Sequence, residues 1–160
     1  MNLAASVALR NVYRIECRDR HGNLKWVEEI KNLTVTEGLN HLLNTQFKSG
    51  AQVGTWHLGL KGTGSVVVGD TLASHGGWSE VTPYAGNRPA LVLGSVANGA
   101  VNNQASPTSI SINATQTIAG AFVCSVASGT VGVLYGAADF AEPRSMRSEE
   151  HTSELQSLSH

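Results

Sequence analysis

Cysteine is scarce in this chain, with only Cys17 and Cys124 among 160 residues. Two cysteines cannot form a disulfide framework, and neither belongs to the CxxC spacing that often binds zinc. No apolar run is long enough to cross a bilayer. Residues 1–11 also lack the basic start and sustained apolar stretch of a secretory signal. We therefore expect two buried thiols in a protein made in a reducing cytoplasm, with no membrane partner.

Charged residues are scarce over most of the chain. Residues 1–48 hold seven basic and five acidic side chains, and the formal net charge of the chain is -1. Residues 49–141 hold only Lys61, Asp70, Glu80, Arg88 and Asp139. This balance does not favour nucleic acid as a partner. A neutral surface rich in small residues fits a β-protein partly covered by other subunits. It fits an ordinary β-domain with hydroxyl-rich strands equally well.

Recognised catalytic motifs are absent: the chain has no HExxH, no GxSxG and no phosphate-binding loop. The best catalytic candidates are His57, Asp70, His75 and Glu80, which could in principle also form a metal site. Structural roles explain them better, with His57 as a paired strand residue and Asp70 bonded to the backbone of its own loop. We therefore predict no catalytic residue, no metal and no cofactor.

The strongest local pattern lies in residues 11–35. Residues 12–18 place Tyr13, Ile15 and Cys17 on one face of a strand and charged residues on the other. Residues 24–31 alternate in the same way, and the letters HGN between the two runs are typical of a turn. The sequence therefore predicts an antiparallel β-hairpin.

The hydrophobic period then changes to that of a helix over residues 36–47. The apolar residues at helical spacing are Val35, Leu39, Leu42, Leu43 and Phe47. Thr34 or Thr36 is expected to cap the start of the helix, with Glu37 in its first turn. The pattern predicts one short amphipathic helix whose leucine stripe belongs to the core.

The rest of the chain is typical of β-structure with long connections. Residues 66–68 are expected to form a short strand or a loop edge, and residues 69–78 a loop with one helical turn. The other predicted strands are residues 55–60, 88–93, 109–113, 117–126 and 131–136. Their spacing predicts a mainly β fold, an antiparallel β-sandwich or jelly-roll-like barrel with one short helix.

The C-terminal residues differ in origin from the rest of the chain in our interpretation. Residues 147–157, RSEEHTSELQS, resemble a widely used sequencing adapter translated in frame. We interpret residues 147–160 as an artefactual tail, to be excluded from functional reasoning. Residues 1–146 are then a single β-rich domain that lacks its C-terminal strand. The tail is polar and has no period-two alternation, so it is expected to be disordered or an isolated helix with few core contacts.

Aromatic residues and one arginine are the best candidates for an interface or ligand site. Trp56, Trp78 and Tyr84 could form a platform for sugar binding, or they could be core and loop anchors. Arg88 could pair with Glu80 and fix a loop. Trp78, Tyr84 and Arg88 are expected to be exposed, and these residue types are enriched among the anchors of protein interfaces.

Four segments carry a resemblance to a known group of proteins. They read VYRIECRDRHGNLKWVEEIKNLTVTEGLNHLL, TWHLGLKG, GDTLASHGGWSEVTPY and AFVCSVASGTVGVLYGAADF. Together they resemble an uncharacterised family of small tailed-bacteriophage virion proteins, over most of residues 11–140. The resemblance implies a structural or adhesive virion component without an active site. It also implies that the chain continues past Ser145 into a final β-strand.

These observations predict a non-enzymatic virion structural protein, made in the bacterial host cytoplasm. A head decoration protein or an accessory tail component fits best, with other capsid or tail proteins as partners and a homo-oligomer as the expected state. The alternative is a tail-fibre-like receptor or carbohydrate-binding module that uses Trp56 or Trp78. A third reading is a small hydrolase built around His57 and Asp70.

Overall fold

The computed structural model describes residues 9–148 and 152–159, the second range by its backbone alone. The elements are β1 (Asn11–Arg18), β2 (Leu24–Thr34), α1 (Thr36–Phe47), β3 (His57–Lys61), β4 (Glu80–Val81), β5 (Thr108–Ile110), β6 (Gln116–Cys124), β7 (Leu134–Met146) and β8 (Thr152–Ser159). All of the strand pairings are antiparallel. No helix among the described residues is long and apolar enough to cross a membrane.

The predicted hairpin is confirmed as β1 and β2. Its turn is held by the Asp19 carboxylate, which accepts hydrogen bonds from the backbone N–H groups of His21 and Asn23. Gly22 adopts a φ of 83°, a conformation that residues with a side chain rarely adopt. Tyr13, Ile15 and Cys17 are buried, as the alternation predicts.

The predicted helix has the expected bounds, but neither its cap nor its burial is as predicted. Val35 is the N-cap residue, and no side chain caps the helix, so the predicted threonine cap is wrong. The leucine stripe is not fully in the core, since Leu43 is exposed and Phe47 is 71% exposed. The only residue of the helix that is fully buried is Gly38, which lies against the backbone of Tyr135 on β7. The helix therefore contacts the sheet through its first turns.

The strands form one sheet in the order β4-β3-β6-β7-β2-β1-β8-β5. Val81 of β4 and Ile110 of β5, from opposite ends of this order, belong to the same hydrophobic core. The segments that follow β4 and β5 also meet, because the Asn113 N–H donates to the Pro83 carbonyl oxygen at 2.8 Å. The sheet is therefore curled around its core. A mainly antiparallel β fold with one helix is confirmed, whereas the two stacked sheets of a sandwich are not.

Some connections differ from the prediction. Residues 66–68 form a loop, which is one of the two predicted alternatives, whereas residues 69–78 form loops and turns without the predicted helical turn. Residues 88–93 form only an isolated bridge, between His57 and Ala90. Pro89 has no N–H to donate, and Arg88 uses its side chain to bond other loops, so the segment leaves β3 after this short contact.

The C-terminal segment contradicts the expectation of disorder or an isolated helix. Residues 152–159 form β8, which pairs with all of β1 in an antiparallel register from Arg18↔Thr152 to Asn11↔Ser159. The other edge of β8 pairs with β5. An open strand edge offers unpaired N–H and C=O groups to any extended segment, whatever its side chains. Backbone pairing therefore makes residues 152–159 a strand, although their polar sequence did not predict one.

Candidate functional site

Three of the four predicted site residues are buried. Trp78 is 6% exposed, Tyr84 is 9% exposed and Arg88 is 6% exposed. The expectation that they are exposed interface anchors is therefore wrong. In the interior, the large rings of Trp78 and Tyr84 fill volume. The guanidinium group of Arg88 can bond several carbonyl groups at once.

Arg88 connects three parts of the chain. Its Nε and Nη2 atoms donate to the two carboxylate oxygens of Glu80, at 2.8 and 2.6 Å. Nη1 donates to the carbonyl oxygen of Val126, and Nη2 also donates to that of Gly129. The hydrogen bond with Glu80 raises the pKa of Arg88 above its ordinary value. The prediction that Arg88 pairs with Glu80 and fixes a loop is confirmed.

Trp78 anchors the loop that contains Asp70 and His75. Its Nε1 atom donates to Asp70 Oδ2 at 2.9 Å, and the same oxygen accepts from the backbone N–H of Val67. The His75 ring stacks on the indole with centroids 4.1 Å apart. Asp70 therefore bonds the backbone of its own loop, as predicted. Neither Asp70 nor Trp78 lies open to a ligand, because both are buried.

The other catalytic candidates do not meet in one cleft. His57 lies on β3 opposite Cys124, where burial first and then the charge of Arg88 lower its pKa. Glu80 is bonded to Arg88, and His75 is stacked on Trp78. Within residues 9–148, no group of three or more His, Cys, Asp or Glu side chains could hold a metal ion. The geometry therefore gives no support to the hydrolase reading.

Lys61 is a buried polar residue that the sequence reasoning missed. Its Nζ donates to Asp139 Oδ1 at 2.5 Å and to the carbonyl oxygens of Gly64 at 2.7 Å and Gly62 at 3.1 Å. Asp139 also accepts from the backbone N–H of Val66. The sequence feature that could have indicated this role is a single lysine between an apolar strand and the glycine-rich segment GTGS. These contacts fix the loop after β3.

Trp56, the fourth predicted residue, lines a cavity of about 350 Å³. The cavity lies between α1, the ends of several strands and the loop that follows Leu91. Its walls are mostly apolar, and Arg10 is the only charged residue among the described residues that line it. The lining residues are Leu9, Arg10, Asn11, Tyr13, Leu42, Trp56, Leu91, Leu93, Val96, Gly99, Ala100, Val101, Val123 and Tyr135.

One wall of this cavity carries polar groups. The Tyr135 hydroxyl donates to Asn11 Oδ1 at 3.3 Å, and Asn11 Nδ2 donates to Thr34 Oγ1 at 2.8 Å. The Tyr13 hydroxyl is buried and has no hydrogen-bond partner among the described residues. Burial raises the pKa of both tyrosines, and that of Tyr13 is raised further by the neighbouring Tyr135. These hydroxyls are therefore protonated hydrogen-bond donors at neutral pH.

A second feature is a long segment of the chain without charged side chains. No residue from 89 to 138 carries a charged side chain. This stretch nevertheless exposes large apolar residues, including Val92, Leu93, Val96 and Val131, the last of which is 92% exposed. Exposed apolar side chains in a segment without charged residues are common at protein–protein contact surfaces. We call residues 89–138 the uncharged stretch.

Comparison with known proteins gave no matching family model and no matching curated protein.

Proposed function

We propose that this protein is a non-enzymatic structural component of a bacteriophage virion, such as a head decoration protein or an accessory tail component. The observation that supports this best is the uncharged stretch, which exposes Val92 and Val131 and carries no charged side chain of its own. The chain would be made in the host cytoplasm and would function in the virion, bound to capsid or tail proteins and to copies of itself.

The physical argument rests on repeated weak contacts. The centres of protein interfaces are depleted of charged residues, because a buried charge must lose its water. A small neutral surface gives modest affinity for one copy. Many copies on a repeating lattice convert that modest affinity into tight attachment through avidity.

The residues proposed to make the contact differ from those suggested by the sequence. Trp78, Tyr84 and Arg88 are buried and stabilise the fold. The proposed contact residues are instead Val92 and Val131, which are exposed and do not line the cavity. A substitution at either position should therefore change assembly without disturbing the core.

The first experiment measures self-association by sedimentation velocity. Val92→Glu combined with Val131→Glu should shift the wild-type oligomer towards monomer, while Gln46→Glu on the exposed face of α1 should not. A wild-type chain that is monomeric at all concentrations would contradict the homo-oligomer. The second experiment is mass spectrometry of virions purified from a phage that carries this reading frame. Many copies of the chain per particle are expected, and its absence from the particles would contradict the virion role.

One observation favours a carbohydrate-binding module as a second candidate. Trp56 lies in the cavity with its ring centroid 5.4 Å from that of Tyr135, and aromatic pairs of this kind can stack on sugar rings. Glycan-array binding that is lost on Trp56→Ala, in a variant with an unchanged melting temperature, would favour this function. An array without signal would leave the structural role as the better proposal.

A further inference from the structure

The strand β8 lies in a slot between the edges of β1 and β5. It pairs with β1 along Asn11–Arg18 and with β5 along Thr108–Ile110, so both of its edges are hydrogen-bonded. These edges can pair with any extended segment placed between them, because every residue except proline carries the same backbone N–H and C=O groups. We call this position, with the edges of β1 and β5 that border it, the strand slot.

The core side of the strand slot is apolar. On β1, Tyr13, Ile15 and Cys17 are no more than 3% exposed, and on β5 Ile110 is 2% exposed. All four residues belong to one hydrophobic core. Paired residues of antiparallel strands lie on the same face of a sheet, and successive residues alternate between the two faces. The slot therefore favours a strand with apolar residues at alternate positions.

The segment that occupies the strand slot does not have this pattern. The β8 positions that pair with the three buried residues of β1 are 153, 155 and 157, and they hold Ser, Leu and Ser. Serine has little apolar surface to bury, so β8 depends mainly on its backbone hydrogen bonds. A segment with larger apolar residues at positions 153 and 157 would form the same backbone hydrogen bonds and bury more apolar surface.

The outer side of the strand slot is polar. Arg14 and Arg18 both form ion pairs with Glu16 on that face of β1, and Ser109 of β5 is exposed. An occupant therefore meets the core on one face and polar groups on the other. A second copy of this chain is a poor occupant, because its own residues 152–159 carry the same two serines.

We propose that the strand slot binds an extended segment of another protein, with apolar and polar residues in alternation, and that this segment displaces β8. Strand addition of this kind takes its affinity from backbone hydrogen bonds and its specificity from alternate side chains. The inference does not depend on the proposed contact through Val92 and Val131, which lie outside β1, β5 and β8.

The test uses the full chain and three labelled peptides of equal length. TSELQSLS is the sequence of β8, TVELQVLS has valine at positions 153 and 157, and VSELVSLS has valine at positions 152 and 156. The chain should bind TVELQVLS about 10- to 100-fold more tightly than VSELVSLS, as expected for two additional buried side chains. A shift of VSELVSLS by one residue does not restore binding, because it places the glutamate on the core side. Fluorescence anisotropy measures the affinities.

Substitutions in β8 test whether the peptide takes its place. Ser153→Val combined with Ser157→Val should strengthen β8 and weaken binding of TVELQVLS by about tenfold or more, since the two compete for one slot. The matched control, Thr152→Val combined with Gln156→Val, should change the affinity little. Leu155→Ser should tighten peptide binding. If that variant does not fold, the two valine variants, which keep the backbone pairing, decide the test.

Three results would overturn the proposal. One is equal affinity for TVELQVLS and VSELVSLS. Another is an affinity for TVELQVLS that does not change when Ser153 and Ser157 are replaced by valine, since the peptide then binds elsewhere. The third is binding of TSELQSLS as tight as that of TVELQVLS, which would indicate exchange of β8 between copies of this chain.

Discussion

Two buried cations, Lys61 and Arg88, are held in the same way. Each donates to one carboxylate and to two backbone carbonyl oxygens: Lys61 to Asp139, Gly62 and Gly64, and Arg88 to Glu80, Val126 and Gly129. A buried charge is costly unless its partners replace the lost water. These residues therefore connect loops to strands and are not available for binding.

Replacing Arg88 tests this view at one residue. Arg88→Met should lower the free energy of unfolding by about 3 kcal/mol, because it leaves Glu80 and two carbonyl groups without their partner. We expect the lower end of the range for a buried pair, since the Glu80 side chain is 25% exposed. Urea denaturation measures the change. The matched control, Arg20→Met in the exposed turn, should change stability little. Equal effects of the two substitutions would contradict a structural role for Arg88.

His57 gives a prediction of pH dependence. Burial first and then Arg88 lower its pKa in the folded state. The unfolded chain therefore takes up a proton at higher pH, near the ordinary value of about 6.5. The free energy of unfolding is therefore highest above that ordinary value. It falls as the pH drops from there towards the lower pKa of His57 in the folded state. Urea midpoints between pH 7.5 and pH 5 should fall less in His57→Gln than in the wild type. His21→Gln in the exposed turn is the control, and an equal slope in all three chains would contradict the prediction.

At the scale of secondary-structure elements, the contact between α1 and β7 determines the position of the helix on the sheet. Glu37 accepts hydrogen bonds from the backbone N–H groups of Leu72 and Leu134, so the first turn is tied to a loop and to the start of β7. Gly38 lies so close to β7 that a Cβ atom there would be 2.8 Å from the Tyr135 carbonyl carbon and closer still to its oxygen. The absence of a side chain therefore permits the close approach.

Gly38→Ala should destabilise the protein by about 1–3 kcal/mol, because backbone atoms of β7 cannot move aside cheaply. Helix propensity alone predicts the opposite sign, since alanine is favoured over glycine inside helices by about 0.5–1 kcal/mol. Gly54→Ala is the control, since no atom lies within 4 Å of a Cβ built there. Thermal melting of both variants measures the effect. A Gly38→Ala chain that melts higher than the wild type would show that the helix does not pack this closely.

At the scale of the whole molecule, β8 connects the hairpin to β5. It pairs with β1 along Asn11–Arg18 and with β5 along Thr108–Ile110. Without it, β1 would have an open edge, and such edges favour aggregation. Residues 147–157 resemble a sequencing adapter, which predicts that they contribute nothing to stability. Residues 152–159 pair with β1 and β5, which predicts that they stabilise the fold.

Leu155→Pro separates these two expectations. Residue 155 pairs with Ile15 on β1 and with Thr108 on β5, and proline removes the backbone N–H that such pairing uses. The structure predicts a lower melting temperature and more aggregation for Leu155→Pro and for a chain that ends at Met146. Leu155→Ala, which keeps the N–H group, is the control for the proline substitution. If both Leu155→Pro and the shortened chain melt like the wild type, residues 147–160 contribute nothing to the fold, as expected of an artefactual tail.

Local patterns predicted the local structure well. Alternation over residues 12–18 and 24–31 with a glycine turn predicted β1 and β2, because the two faces of a strand meet different surroundings. The change of period at residue 36 predicted α1 with its bounds. The site was predicted less well, since Trp78, Tyr84 and Arg88 are buried, and of the four proposed residues only Trp56 lines the cavity of about 350 Å³ described above. Residue type alone cannot tell a buried tryptophan or arginine from an exposed one.

The amino-acid sequence alone indicates that the chain is mainly β with one helix, that residues 49–141 carry only five charged side chains, and where the hairpin turns. These properties depend on the order of neighbouring residues. Tertiary contacts were needed to show that Arg88 also meets two distant carbonyl groups, that Tyr13 and Trp56 share a cavity, and that residues 152–159 pair with β1. The first two depend on side chains that come together only when distant segments meet. The third depends on backbone hydrogen bonds, which form with little regard to side-chain identity.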